Sequence, residues 1–249
     1  MSALEAEISA NFEGFFKDWT TQAQKNWEKL HPNDQYLLSY RRLACFQAIK
    51  SDLVAPNFSA GSAAFFFEAH NDGLISHVNA SLGSWRTALQ SLRSTVENAL
   101  AAVYFKDHPI ELALWASGDL KPSFSELHAY CVKHPDLKDI SANIKGLDVI
   151  KAEYATLSKA VHGSTTNFRM TDGVSNVLLW STEAKRLSMW ATRERSVLEG
   201  IALLYVCLFR AELAGTKKAA LRNMLYFVVS SARAARIRSE LKINITKAT

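Results

Sequence analysis

The sequence predicts an all-α fold, an up-and-down helical bundle of long amphipathic helices with at most one short β-hairpin. Three observations lead there. Only 10 glycines and 5 prolines punctuate 249 residues, too few for the many tight turns of a sandwich or barrel. Apolar residues recur three and four positions apart over long stretches, the period of a helix with one buried face. Helix start and stop signals fall where those stretches begin and end. A hydrophobic content of 48% is enough to build a sizeable core.

The first stripe, Leu4, Ile8, Phe12, Phe15, Trp19, Ala23, Trp27 and Leu30, predicts a helix of about 28 residues. His31-Pro32-Asn33-Asp34 breaks it, and Asn33 or Asp34 caps a second helix with Leu37, Tyr40, Leu43, Ala44 and Ile49 on one face. Ala55-Pro56-Asn57 interrupts, and a short apolar helix begins between Ala63 and Phe67. From Asn71-Asp72 the stripe Leu74, Val78, Leu82, Trp85, Leu89, Leu92, Val96, Leu100 and Val103 predicts one long helix to about Lys106, weakened at Gly83 by about 1 kcal/mol relative to alanine. Its spacing averages about 3.6 residues, which favours bundle packing over a long coiled coil.

Pro109 opens the next helix, and Ser117-Gly118-Asp119 closes it. Ser123 and Glu126 form a capping box for a helix to about Lys133. After His134-Pro135-Asp136, helical residues run to His162, where Gly163 is a natural stop. Asp172-Gly173 marks a tight turn and Val177 to Trp180 a short strand. A second long helix, capped by Ser181 or Thr182, extends to about Ala214, and a last one runs from Lys217 to near Leu241. The chain divides into an N-terminal helical extension, residues 1–60, and a bundle, residues 61–249, with a basic C-terminal helix and tail.

Composition narrows the function. Cys45, Cys131 and Cys207 are odd in number and lack metal-ligand spacing, which fits a reducing cytoplasm rather than a disulfide framework or zinc site. The N-terminus is acidic and has no apolar signal core. The most apolar run, Ile201 to Phe209, is far short of the roughly 20 residues needed to cross a bilayer. A cytoplasmic protein that does not enter a membrane is expected. Charge is concentrated at one end. Residues 215–249 hold eight basic residues and one acid, a net +7, so a whole-chain +5 leaves −2 on the other 214 residues. Such a basic stripe is the footprint of a phosphate-bearing or acidic partner, or else a solvated helix face. Arg233, Arg236 and Arg238 are its candidate binding residues.

No GxxxxGK[ST], GxGxxG, HExxH or GxSxG occurs, and His70 and His77 have no carboxylate at ligand spacing. Neither metal nor cofactor is expected. What remains is a polar constellation. Arg93 and Glu97 share a helix face, and Tyr154, Ser158 and His162 share another, with Lys159 adjacent. If the two helices pack, Arg93 and Glu97 would meet Ser158 or His162. A histidine beside an arginine suits phosphodiester cleavage, the imidazole moving a proton and the guanidinium clamping phosphate. The alternative is structural: an Arg93–Glu97 ion pair, with His162 capping carbonyls at its helix end.

The segments Leu92-Arg93-Ser94-Thr95-Val96-Glu97-Asn98, Tyr104 to Glu111, and Tyr154-x-x-Leu157-Ser158-x-x-Val161-His162-Gly163-Ser164 resemble the core of bacterial helical proteins similar to the HEPN superfamily. The resemblance covers about residues 85–165. It implies a helical bundle, frequent dimerisation, RNA cleavage or binding, and service in anti-phage or toxin–antitoxin complexes. The family's signature places an arginine four to six residues before its histidine. Here only His162 matches; the window holds Ala155, Thr156 and Leu157, and Arg93 would have to supply the cation from another helix. Two functions follow as expectations. One is a non-catalytic component of a defence complex that binds RNA, a protein partner or a second copy of itself through long helices, with Tyr154, Ser158, Lys159 and the basic tail in contact. The other is a metal-independent ribonuclease using His162, Arg93 or Lys159, and Glu97.

Overall fold

In the computed structural model, residues 2–162, 168, 170–172, 176–177, 182–215 and 217–247 are described. Helix α1 (Ala3–Leu30) starts from a capping box in which the Ser2 hydroxyl accepts from the Glu5 N–H and the Glu5 carboxylate accepts from the Ser2 N–H. Its buried residues are at the far end, Asn26 and Leu30. Asn33 caps α2 (Asp34–Ile49), accepting from the N–H groups of Gln35 and Tyr36. The face that α2 buries is Tyr36, Ser39, Arg42, Leu43, Phe46 and Ile49. Leu37 and Tyr40, expected inside, stand exposed, because Tyr36 and Ser39 set the inward stripe one residue earlier.

A π-helical turn, Lys50–Val54, leads into α3 (Ala55–Asn57), and Ser59 caps α4 (Ala60–Ser81). The single long helix expected from residue 71 to 106 is instead two antiparallel helices, α4 and α5 (Trp85–Asp107). Gly83, at φ +68, reverses the chain, a conformation glycine adopts without penalty. The Leu82-to-Trp85 step of three kept the helical period across the turn, so spacing alone did not reveal it. The two helices lie against each other: the Ser76 hydroxyl donates to the Ala88 carbonyl, Asn98 to Asp72, and the rings of Phe65 and Phe105 are 4.9 Å apart.

Helix α6 (Pro109–Ser117) opens on its proline and ends at Gly118, φ +87. The Ser123–Glu126 capping box opens α7 (Phe124–Lys133) as expected. The stretch up to His162 is divided by Gly146, φ +74, into α8 (Ala142–Lys145) and α9 (Leu147–Val161), with His162 as the C-cap residue. Strands β1 (Thr171–Asp172) and β2 (Asn176–Val177) pair antiparallel over two residues each. Gly163, Gly173 and Leu178 to Trp180 lie outside the described residues. Helix α10 (Ala184–Leu208) starts from Glu183. Of the two expected caps, Thr182 donates its hydroxyl to Asn26 of α1 instead, and Ser181 lies outside the described residues. After α11 (Arg210–Leu213), the last expected helix appears as two, α12 (Ala219–Leu225) and α13 (Ser231–Leu241). The segment beyond it is no loose tail, since Ile243 and Ile245 are buried.

Helix α10 is the centre of the molecule. Every residue from Val197 to Cys207 is buried, against α2, α5, α8 and α9. Tyr205 donates to the Ala99 carbonyl and Trp190 to the Ser76 hydroxyl, so its polar aromatic atoms are satisfied inside the core. Residues of α2 belong to the same hydrophobic cluster as those of α5, α9 and α10. The result is an all-α helical bundle.

Candidate functional site

The packing of α5 on α9 and α7 positions the polar constellation. Arg93 and Glu97, one turn apart on α5, are joined at 2.9 Å. The same guanidinium nitrogen, Nη2, donates to the Tyr154 hydroxyl of α9 at 2.7 Å, and that hydroxyl donates to Glu97 Oε1 at 2.6 Å. The three groups close a ring. Arg93 Cζ also lies 5.0 Å from the centre of the Tyr154 ring, whose plane stacks on Phe124 of α7 at 3.6 Å and 6°. Burial works against the charge on Arg93, but the Tyr154 hydroxyl and Glu97 outweigh it and hold its pKa above the ordinary value. The Tyr154 hydroxyl is pushed up by burial and by Glu97, with Arg93 pulling it back. At neutral pH it is a neutral donor between a cation and a carboxylate.

This ring borders a cleft of about 560 Å³, within the usual range of ligand pockets. One wall is aromatic: Phe65, Phe105, Phe124 and the exposed Trp115, whose ring meets Phe65 edge-on at 4.7 Å. Asn98, Ser123 and the exposed Lys121 supply polar groups at the cleft. Behind Asn98 the bond continues to α4, where Asp72 accepts from its amide. Burial, reinforced by Glu68 and Glu97, raises the Asp72 pKa against the effect of that bond.

Arg93 and Glu97 therefore meet Tyr154, where sequence spacing anticipated Ser158 or His162. The reason is axial position: His162 is eight residues beyond Tyr154, about 12 Å along the helix axis. The Ser158 hydroxyl is used locally, donating to the Tyr154 carbonyl at 2.9 Å. His162 is exposed, and its backbone N–H bonds the Ser158 carbonyl. Neither His162 nor Ser158 lines the cleft; Lys159 is exposed on the same last turn. On α13, Arg233 is paired with Glu199 at 2.8 Å, whereas Arg236 and Arg238 are exposed.

A second polar cluster escaped the sequence reading. Ser39 of α2 lies 2.9 Å from His77 Nδ1 of α4 and donates to Glu194 of α10 at 3.1 Å; Arg42 binds the other Glu194 oxygen at 2.6 Å. Tyr36 stacks on His77 at 3.9 Å. All are buried. A serine, a histidine and an acid are present, but the carboxylate meets the serine and arginine rather than the histidine. That order orients no imidazole for general-base work. The cluster ties three helices together. Its signal was available: Ser39 and Arg42 fall at core-facing positions among Tyr36, Leu43 and Phe46, and Glu194 falls between Ala191 and Val197.

Among the described residues no cluster of histidine, cysteine and acidic side chains has a metal-binding arrangement. No helix among them is long and apolar enough to cross a membrane. Comparison with family models, curated proteins and solved structures finds no match to this chain.

Proposed function

We propose that this chain is a HEPN-like, non-catalytic component of a bacterial defence complex of the anti-phage or toxin–antitoxin type, and that it holds single-stranded RNA in the cleft beside Arg93. The observation that carries the reading is the separation of the two groups that a ribonuclease would need together. Arg93 is closed into a ring with Glu97 and Tyr154 at the cleft, while His162 stands exposed about two turns further along α9. No histidine among the described residues stands beside Arg93, and the two proton-carrying groups that do, the Glu97 carboxylate and the Tyr154 hydroxyl, are bonded to each other and to the guanidinium, an arrangement that favours holding a phosphate over moving a proton.

The cleft is suited to an unpaired nucleotide. The partly exposed Trp115 offers aromatic surface for a base, and Lys121 and Arg93 offer positive charge for its phosphate. Arg236 and Arg238, exposed on α13, are the basic groups that a longer strand would meet if it crosses that helix.

Titration of a fluorescent single-stranded RNA oligonucleotide tests the proposal. Trp115→Ala should weaken binding about 5- to 150-fold, the range of one lost base–aromatic stack. Arg93→Ala should weaken it as well, and His162→Ala should leave affinity unchanged. The labelled RNA should be recovered intact in every case. RNA cut by the parent protein but not by His162→Ala would establish the ribonuclease instead.

A further inference from the structure

The apolar stripe of α1 continues well past the point where its burial ends. Leu30 and Asn26 are closed over by the body, and Trp19 and Ala23 are half-buried. Over the preceding turns Leu4, Ile8, Phe12, Phe15 and Phe16 face solvent, each between 44% and 65% exposed. Phe12 and Phe16 stand 4.8 Å apart and Phe16 and Trp19 5.7 Å, edge to face. Beyond them the exposed Trp27 joins Leu37, Tyr40, Leu74 and Val78 around an apolar groove of about 530 Å³. A contiguous apolar surface of this kind marks an interface.

We propose that this face is covered by α1 of a second copy of the chain, packed antiparallel about a two-fold axis near Phe16. Charge selects the occupant and its direction. Between Ala3 and Phe16 the helix carries Glu5, Glu7 and Glu13 and no base; its lysines, Lys17, Lys25 and Lys29, are all in the second half. Glu7 and Lys25 are eighteen residues apart, five turns at 3.6 residues each, so they lie on the same flank of the stripe. Across an antiparallel two-fold, equal flanks meet, and Glu7 of each copy faces Lys25 of the other. A parallel pair would bring the two acidic halves, each with Glu5, Glu7 and Glu13, alongside one another.

The same register lays Phe12 of one copy near Trp19 of the other. It carries Leu4 towards the groove beside Trp27. The antiparallel arrangement also opposes the two helix dipoles.

The area is sufficient. Six half-exposed large side chains amount to roughly 600 Å² per copy on the scale of aromatic residues. Two copies then bury about 1,200 Å², the lower bound of a stable specific interface. A bilayer surface is a poorer occupant, because α1 has five acids against three lysines and anionic lipids attract basic helices. The inference is independent of the RNA reading of the cleft.

Sedimentation equilibrium of the full chain over a dilution series decides it. The parent protein should be dimeric, and the double variant Phe12→Asp, Phe16→Asp should be monomeric with unchanged circular dichroism, since neither residue is in the core. Glu7→Lys and Lys25→Glu should each weaken dimerisation several-fold, and the two together should restore it. A parent protein that stays monomeric overturns the proposal, as does a charge exchange that fails to restore the dimer. Flotation of a monomer with phosphatidylcholine–phosphatidylserine vesicles would assign the face to lipid. A monomeric Phe12→Asp, Phe16→Asp variant that still binds RNA would leave the proposed function untouched.

Discussion

A titratable side chain in this protein takes its behaviour from what encloses it, and His77 and His162 stand in opposite surroundings. His162 ends a helix in solvent. His77 is enclosed between Tyr36, Ser39 and Trp190, and burial, with Arg42 alongside, pushes its pKa down to about 4. The unfolded chain takes up a proton at this histidine more readily than the folded one. The stability it contributes is therefore whole above the unfolded value, near 6.5, and is lost as the pH falls towards 4. The loss amounts to at most about 3 kcal/mol. Glu194, raised by burial and drawn back by Arg42, titrates with the opposite sign, so the comparison should be made within one background. Urea midpoints between pH 7 and 4.5 should fall further for the parent protein than for His77→Gln. Equal falls would remove His77 as the source.

At the level of elements, periodicity was a good guide to which residues are helical and a poor guide to where helices turn. The capping boxes at Ser2 and Ser123 and the cap at Asn33 are short-range hydrogen bonds, encoded within four residues, and the latter two were legible in the sequence. The reversal at Gly83 was not, because the apolar spacing ran through it unbroken. The division at Gly146 was not either, because its cause is tertiary: α9 begins where the chain passes close to Gly200 of α10. The Arg93–Tyr154 contact likewise depends on the axial register of α5 against α9, which no spacing within one helix specifies.

Gly146 permits a quantitative expectation. It has φ +74, and a Cβ there would lie 2.1 Å from the Gly200 carbonyl oxygen, a backbone atom that cannot rotate away. Gly146→Ala combines a strained conformation with a steric clash and should cost about 3 kcal/mol or more. Gly118→Ala, also at positive φ but with open space around it, should cost about 1 kcal/mol. Thermal denaturation of the two variants separates the steric from the conformational part.

Across the whole molecule the charge is divided, with +7 in the last 35 residues and −2 in the rest. The fold decides which of those charges a partner meets. Arg233 is turned inward onto Glu199, which also accepts from the Ser230 N–H at the start of α13. Arg236 and Arg238 remain exposed, and the segment after them is anchored by Ile243 and Ile245. Deleting residues 233–249 would uncover core, so point substitutions are the informative change. If the RNA strand crosses α13, Arg236→Ala with Arg238→Ala should lower the logarithmic salt slope of binding by roughly 1.4, two phosphate contacts at about 0.7 each for a single strand. Arg233→Ala should instead lower the melting temperature by breaking the Glu199 pair and leave the slope unchanged. A slope that ignores Arg236 and Arg238 would confine the strand to the cleft, and the basic helix would then be a solvated face.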